Sequence, residues 1–295
     1  MHEDAAGAAA CAIGQFDWKH LSDDDILKLS IADFMTYLGK RIVNPGGIAG
    51  RDRLLEIVQP KPDSHVLEIG AGNGHAACHI ARTHGCRVTT ISGSARAMRE
   101  AQALVARQDL THLVRCEIGD IDRLRFADHT FDYVVCQAVF TFVRHQKALS
   151  EVRRVLKDDG TFAGLEFCWK RLPPDPLRAR TRQIFASKVL DFHSLFGWIG
   201  ALRGSEFDVI RAEEHALRVP CPAGLLRDEG WANGLRIVAR LMRRRAGRVR
   251  MTEIWAHFSH SMEYYSYIVF SGGKKGRMQA TAPGEAAWKL QAQRA

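Results

Sequence analysis

Val66-Leu67-Glu68-Ile69-Gly70-Ala71-Gly72-Asn73-Gly74-His75 runs from an apolar stretch with one acid into three glycines at alternate positions. The apolar part has the composition of a buried strand. The glycines mark a tight turn that lets a ligand approach the backbone closely, and the helix expected after it opens with free N–H groups. In α/β sheets ligands bind beyond the carboxyl ends of the strands, where such a turn lies. A dinucleotide fingerprint, G-x-G-x-x-G, requires glycine at position 75. The chain has His75 there, and its third glycine falls one residue early. Glu68 also suits an ammonium or sulfonium ligand better than phosphates. A nicotinamide-dependent dehydrogenase and a turn that binds nothing are the alternatives.

Working outward, Ser22-Asp23-Asp24-Asp25 reads as a capped helix start with acids in its first turn, the helix running to about Gly39. Asn44-Pro45-Gly46-Gly47 reads as a turn, and a second helix is expected over 48–58. Downstream, strands are expected at 66–69, 87–91, 114–117, 131–136 and 162–167. Helical stretches at 74–83, 95–107 and 146–156 separate them, and Asp158-Asp159-Gly160 is a turn before the fifth strand. Nearly all-apolar strands alternating with helices predict an α/β, Rossmann-like sheet, parallel and covered on both faces. The alternation then breaks. Segments 173–202 and 222–262 read as helical cap insertions that roof the sheet's functional edge. A sixth strand is expected at 207–217, and a last one at 264–270 closed by Gly272-Gly273. There is no internal repeat. The expected organisation is one domain over 15–275, with a disordered tail at 1–14 and a loose one at 276–295.

The chain has 295 residues, 46% hydrophobic, and a formal charge of +9. That charge suggests affinity for anions and says nothing about fold. No apolar run approaches the roughly 20 residues of a membrane span. The first residues lack the basic start and apolar core of a signal peptide, so a cytoplasmic location is expected. The seven cysteines are odd in number and form no C-x-x-C pair, which argues against a disulfide framework and a common zinc site. Free thiols and no metal are expected.

Residues 66–74 resemble motif I of the class I S-adenosylmethionine (SAM)-dependent methyltransferases. The resemblance continues in order over about 110 residues. Residues 119–126 are similar to the family's acidic loop after the third strand, and 131–136 to its fourth strand. Residues 148–160 are similar to the helix and turn before the fifth strand. The nearest subgroup is the small-molecule set, with its quinone-biosynthesis and sarcosine-type members. The resemblance implies a seven-stranded sheet with the last strand antiparallel, and methyl transfer from SAM, by in-line displacement, to a small molecule, giving S-adenosylhomocysteine (SAH). It implies that Gly70, Ala71, Gly72 and Gly74 bound the methionine part of SAM, with Glu68 orienting its amino group. Asp120 and the Ile121 N–H would meet the adenine, and Gln137 would sit beside the methionine portion. Gly46 and Gly47 would close the other side. The family's second strand usually ends in an acid that holds both ribose hydroxyls. Here Ser92, followed by Gly93, stands in that place, and a serine offers a single hydroxyl.

Candidates for acceptor chemistry lie where strand ends face the roof. Glu166 ends the fifth strand, His193 sits in the first insertion, and Tyr37 lies in the first helix. His257 and His260 are further candidates for a base. Cys136 and Cys168 follow neighbouring strands near Trp169, so with Cys221 they could hold a thiol or metalloid acceptor. Phe140, Phe142, Phe167, Trp169, Phe196 and Trp198 could line an apolar pocket. Seven arginines between Arg236 and Arg250 admit a nucleic-acid patch, an anionic-membrane contact or a solvated helix face. Nucleic acid is not the expected partner, because no RNA-binding module or interleaved aromatics accompany them. A SAM-binding protein without catalysis is the non-enzyme alternative. Oligomeric state is not legible.

Overall fold

The computed structural model describes residues 20–143, 145–187, 190, 192–217 and 222–274. The expected tails at 1–14 and 276–295, with Cys11 and Cys221, lie outside them. Seven strands form one sheet among the described residues: β1 (His65–Ile69), β2 (Arg87–Ser92), β3 (Val114–Ile118), β4 (Phe131–Gln137), β5 (Leu156–Trp169), β6 (Phe207–Ala216) and β7 (Tyr265–Lys274). Their order is β3-β2-β1-β4-β5-β7-β6. Strands β1 to β5 pair in parallel, and β7 runs antiparallel between β5 and β6. The order reverses between β1 and β4, which opens a crevice at their carboxyl ends.

Side-chain alternation along each strand sends residues to opposite faces. Val66, Val88, Val135 and Leu165 join one core, which also holds residues of α3 (Gly47–Val58), α4 (His75–His84) and α5 (Ala95–Arg107). Leu67, Ile69, Val134 and Phe162 join the other, under α6 (His145–Val155) and α8 (Leu195–Gly204). Both faces of the sheet's centre are covered, so β1 and β4 are mainly apolar, whereas the edge strands β3 and β6 carry charged residues.

Four expectations change. The single helix from Ser22 is two, α1 (Asp23–Lys28) and α2 (Ile31–Leu38). The Ser30 hydroxyl accepts the Asp33 N–H at 3.0 Å and so caps a fresh helix start, while the apolar spacing continues across the break. Asp158-Asp159-Gly160 lies inside β5 as a bulge, where pairing slips from Phe131–Leu156 to Tyr133–Thr161. Gly272 and Gly273 lie inside β7, and a Cβ on Gly272 would stand 2.8 Å from the Asp208 carbonyl oxygen. The first insertion is only partly a cap. Helix α7 (Asp175–Ile184) leads to the cleft, but α8 is a crossover helix whose Trp198, Ile199 and Leu202 pack in the sheet core.

The second insertion folds into α9 (Pro222–Arg243) and α10 (Arg245–Ser259). Helix α9 is two helical pieces redirected at Gly230, whose φ of 71° and ψ of 164° leave the helical region. Helix α10 packs on α1. Buried Arg250 joins this layer to the rest, donating to the Leu29 and Ile184 carbonyls, each at 2.8 Å.

Past β4 the chain turns at Ala138 (φ 55°), and a fully buried carboxylate holds the loop that follows. Glu166 on β5 accepts the backbone N–H groups of Val139, Phe140 and Thr141 at 2.9–3.1 Å, and the Thr141 hydroxyl at 2.9 Å. The Cys136 thiol also points at it, at 3.6 Å. Burial raises the Glu166 pKa, and the four shorter hydrogen bonds oppose that rise. Glu166→Gln replaces an acceptor by a donor facing these N–H groups. It should lower stability by about 2–4 kcal/mol, read from the urea midpoint of unfolding, and an unchanged midpoint would refute this role.

Candidate active site

A cavity of about 1980 Å³ opens at the crevice. Its floor is the glycine turn after β1. One wall is the chain from β2 to the loop after β3, and the other is the strap at 39–47 between α2 and α3. Its roof is α9 and α10. Every residue of the expected cofactor set lines this cavity except Gly74. Gly74 (φ 82°) is packed instead on α5, where a Cβ would meet the Ala101 Cα at 2.8 Å. Gly72 (φ 50°) faces the cavity, and a Cβ there would find nothing closer than the Gly70 carbonyl at 3.9 Å. The two glycines thus do different work: one lets helices approach, the other leaves space for a ligand.

Glu68 lies at the floor with its side chain buried. It accepts the Thr90 hydroxyl at 2.6 Å. Burial pushes its carboxyl up to about 7, and the Thr90 hydrogen bond offsets only part of that. Asp120 and Ile121 stand at the opposite end of the floor, the Asp120 carboxylate accepting the Asp122 N–H at 2.9 Å. Ser92 accepts the Ser94 N–H at 3.1 Å, so one lone pair is used inside its own turn. Gln137 is oriented by Asn44, whose amide donates to it at 2.8 Å.

The strap is tied from both sides. Below it, Asn73 of the glycine turn donates to the Lys40 and Arg41 carbonyls at 3.0 and 3.3 Å. Above it, buried Glu229 of α9 accepts the Arg41 N–H at 2.9 Å and the Ile42 N–H at 3.2 Å. Asn233, one turn further on, donates to Glu229 at 2.8 Å and to the Gly39 carbonyl at 3.0 Å. These residues were not singled out from the sequence. The Asn-Pro-Gly of the strap is an Asx-turn signal, realised as Asn44 accepting the Gly46 N–H at 3.0 Å. Glu229 and Asn233 flank the bend at Gly230, so it is the redirection of α9 that brings them together over the strap.

None of the three expected catalytic side chains lines the cavity. Glu166 is spent on the loop after β4. His193 donates from Nε2 to His145 Nδ1 at 2.8 Å. That direction follows because His145 Nε2 donates to the Phe140 carbonyl at 2.8 Å, which can only accept. Tyr37 is half-buried, its ring against Phe34, although its neighbours Met35, Thr36 and Leu38 face the cavity. His257 is packed on Tyr265, its Nε2 2.8 Å from the phenol oxygen, and burial pulls its pKa down to about 4. His260 is exposed, with Nδ1 2.7 Å from the Ala256 carbonyl.

The cysteine pair does not form either. Cys136 is opposite Gly164, so Cys168 lies four residues along β5, about 13 Å away at strand rise. Both are fully buried and burial raises both thiols, Cys168 to about 12. Trp169 is buried between Phe192 and Tyr265. Among the described residues, no three or more His, Cys, Asp and Glu side chains are grouped to hold a metal ion. Of the aromatic set, Phe142 and Phe167 line the cavity, Phe140 and Trp198 are core, and Phe196 is 61% exposed.

The arginine segment is largely internal fastening. Arg240 donates to the Tyr37 carbonyl, Arg244 to Leu21, Arg248 to Met242, and Arg250 to Leu29 and Ile184. Arg250 is buried and Arg244 half-buried, whereas Arg236, Arg240, Arg243, Arg245 and Arg248 are exposed. One group of cavity-lining polar side chains was found only by the fold. Asp228 lies against Gly47, His215 stacks on Tyr267 with centroids 5.1 Å apart, and all three line the cavity.

Residues 67–164 match a family model described as a methyltransferase domain. The chain is 24% identical over 180 residues to the uncharacterized methyltransferase YodH of Bacillus subtilis, covering 61% of this chain and 75% of that protein. It is 33% identical over 110 residues to a glycine/sarcosine/dimethylglycine N-methyltransferase of Actinopolyspora halophila, covering 37% of this chain and 20% of that protein. Among solved structures, a putative sarcosine dimethylglycine methyltransferase from Galdieria sulphuraria shares the fold. Its TM-score is 0.65 at 14% identity, over 78% of this chain and 87% of that one. The chain thus carries a methyltransferase domain over residues 67–164, and its sequence and sheet are similar to those of class I SAM-dependent methyltransferases.

Proposed function

We propose that this protein transfers a methyl group from SAM to a small-molecule acceptor at the β1/β4 crevice, within one domain whose site lining runs from Ile31 to Tyr267. The observation that carries the reading is Glu68, a buried carboxylate beside the glycine turn and lining the cavity, with its pKa raised toward neutrality by burial. A phosphate would be repelled there, whereas an amino acid ammonium would be held. When bound, SAM supplies a methyl group already activated on a sulfonium, for in-line displacement by a nucleophile.

The remaining work belongs to the chain. Glu68 would hold the ammonium, and Asp120 with the Ile121 N–H would meet the adenine edge. Ser92 offers the ribose a single hydroxyl instead of the family's carboxylate, so this part of the fit is thinner. Gln137, fixed by Asn44, stands between the floor and the roof. The strap and roof exclude water and align the acceptor, which is the main demand of such a displacement. An acceptor that must lose a proton would give it to a group at the roof end, where Asp228 is the carboxylate. The half-buried Asp228 pairs with Arg227 at 3.1 Å.

Turnover of SAM to SAH in a screen of small acceptors tests the reading directly, and failure to bind SAH by calorimetry would overturn it. Unliganded Glu68 keeps its proton up to about pH 7. A bound ammonium favours the carboxylate, so binding below that pH expels the proton. SAH affinity should therefore rise by roughly tenfold per pH unit on the acid side and level off above neutrality. Glu68→Gln should flatten that profile in the same titration.

Glu229→Ala unties the strap from the roof. It should weaken SAH binding about tenfold or more, since two backbone N–H groups lose a charged acceptor. An unchanged dissociation constant in a protein that still folds would remove the strap from the cofactor site.

A further inference from the structure

The cavity is larger than the cofactor needs. At about 1980 Å³ it exceeds the roughly 300–1,000 Å³ of ordinary ligand pockets, so about half or more is left beside a bound cofactor. The two halves differ in chemistry. The floor carries glycines, Glu68, Ser92 and Asp120. The roof half is walled by Phe142, Phe167, Phe185, Leu241, Met251 and Phe258. Part of its rim is apolar as well: Val238 and Trp255 line the cavity and are still 45% and 49% exposed. Polar groups gather at one place, where Asp228, His215 and Tyr267 stand next to the Gly46–Gly47 strap.

From this we infer that the roof half is the binding site of an apolar acceptor, with a ring or chain body and one polar end that carries the nucleophile. The body would lie among the phenylalanines and leucines, and the polar end would sit at Asp228, His215 and Tyr267 beside Gln137. Three features support that orientation. Apolar walls of this extent gain by covering an apolar body, whereas a small zwitterion would leave them wet. A pocket with few polar groups at one end fixes direction as well as identity. The apolar stretch of rim at Val238 and Trp255 offers such a body an entry, while exposed Arg41, Arg123, Arg125 and Arg227 line other parts of the same cavity. The inference rests on the methyltransferase reading and narrows it, away from acceptors as small as sarcosine.

The test uses the full chain saturated with SAH, and N-phenyl-1-naphthylamine as a neutral apolar fluorescent probe. We expect the probe to bind one to one in the presence of SAH. Leu241→Glu and Met251→Arg should each weaken it at least tenfold and leave the SAH dissociation constant within twofold. Leu235→Glu, on the exposed side of α9, is the surface control and should change neither. In matched pairs of acceptors, sarcosine against its N-methyl-naphthylmethylamine analogue and phenol against 2-naphthol, the bulkier member should release SAH at least tenfold faster. The inference is overturned if SAH displaces the probe, if both cavity variants behave like the surface control, or if the smaller acceptors react as fast. Loss of SAH binding in the unaltered protein would instead overturn the methyltransferase reading, and the probe titration without SAH separates the two.

Discussion

One buried carboxylate fixes the geometry on which the site depends. Glu166 has no water around it, and its oxygens accept three consecutive backbone N–H groups and a hydroxyl from the loop after β4. Successive amides converging on one anion make a rigid nest. That loop begins with Gln137 at the cofactor floor. It continues through Val139, which covers Gly70, and ends at Phe142 in the acceptor wall. It also anchors His145 and His193 through the Phe140 carbonyl. A residue that reads as a catalytic acid at a strand end is thus the support for residues that face the ligands. The cost of burying its charge is offset by hydrogen bonds that all suit the ionised form.

A second polar network couples the two halves of the cavity. The strap at 39–47 has no regular structure of its own, so its backbone groups need partners. The glycine turn supplies Asn73 from below, and α9 supplies Glu229 and Asn233 from above. The same few residues therefore tie the floor of the cavity to its roof. The bend at Gly230, next to Glu229, lets the second part of α9 continue across the top of the cavity.

Several arginines of the 236–250 segment hold the roof to the helices beneath it. Arginine is suited to the task because its fixed fork of donors can satisfy carbonyl groups at helix ends. Arg240, Arg244 and Arg250 do this for the ends and junctions of α1 and α2, and Arg250 also for α7. These bonds fasten the helical layer that no strand reaches. The density of arginine in one segment thus has a cause in folding, independent of any anionic partner.

The local sequence determined the sheet and the floor of the site. Strands β1 to β5 and helices α3 to α6 follow from apolar runs, glycine turns and periodicity, which are local signals. The residues expected around a cofactor, from Glu68 to Gln137, come together on one cavity for the same reason: they sit at strand ends whose place in an α/β sheet is fixed by topology. The break at Ser30 and the bulge at Asp158–Gly160 were less legible, since a cap and a bulge leave the hydrophobic pattern intact. The acceptor side was not legible at all. Asp228, His215, Tyr267 and Gly47 come from four separate elements and meet only when β7 inserts between β5 and β6 and α9 closes over the strap. Glu166, His193, Cys136 and Cys168 carry reactive groups, yet the fold turns them away from the cavity, the first, third and fourth fully buried. Side-chain chemistry is written in the sequence, but whether a group faces a ligand or a neighbour depends on long-range packing, and only the tertiary structure decides that.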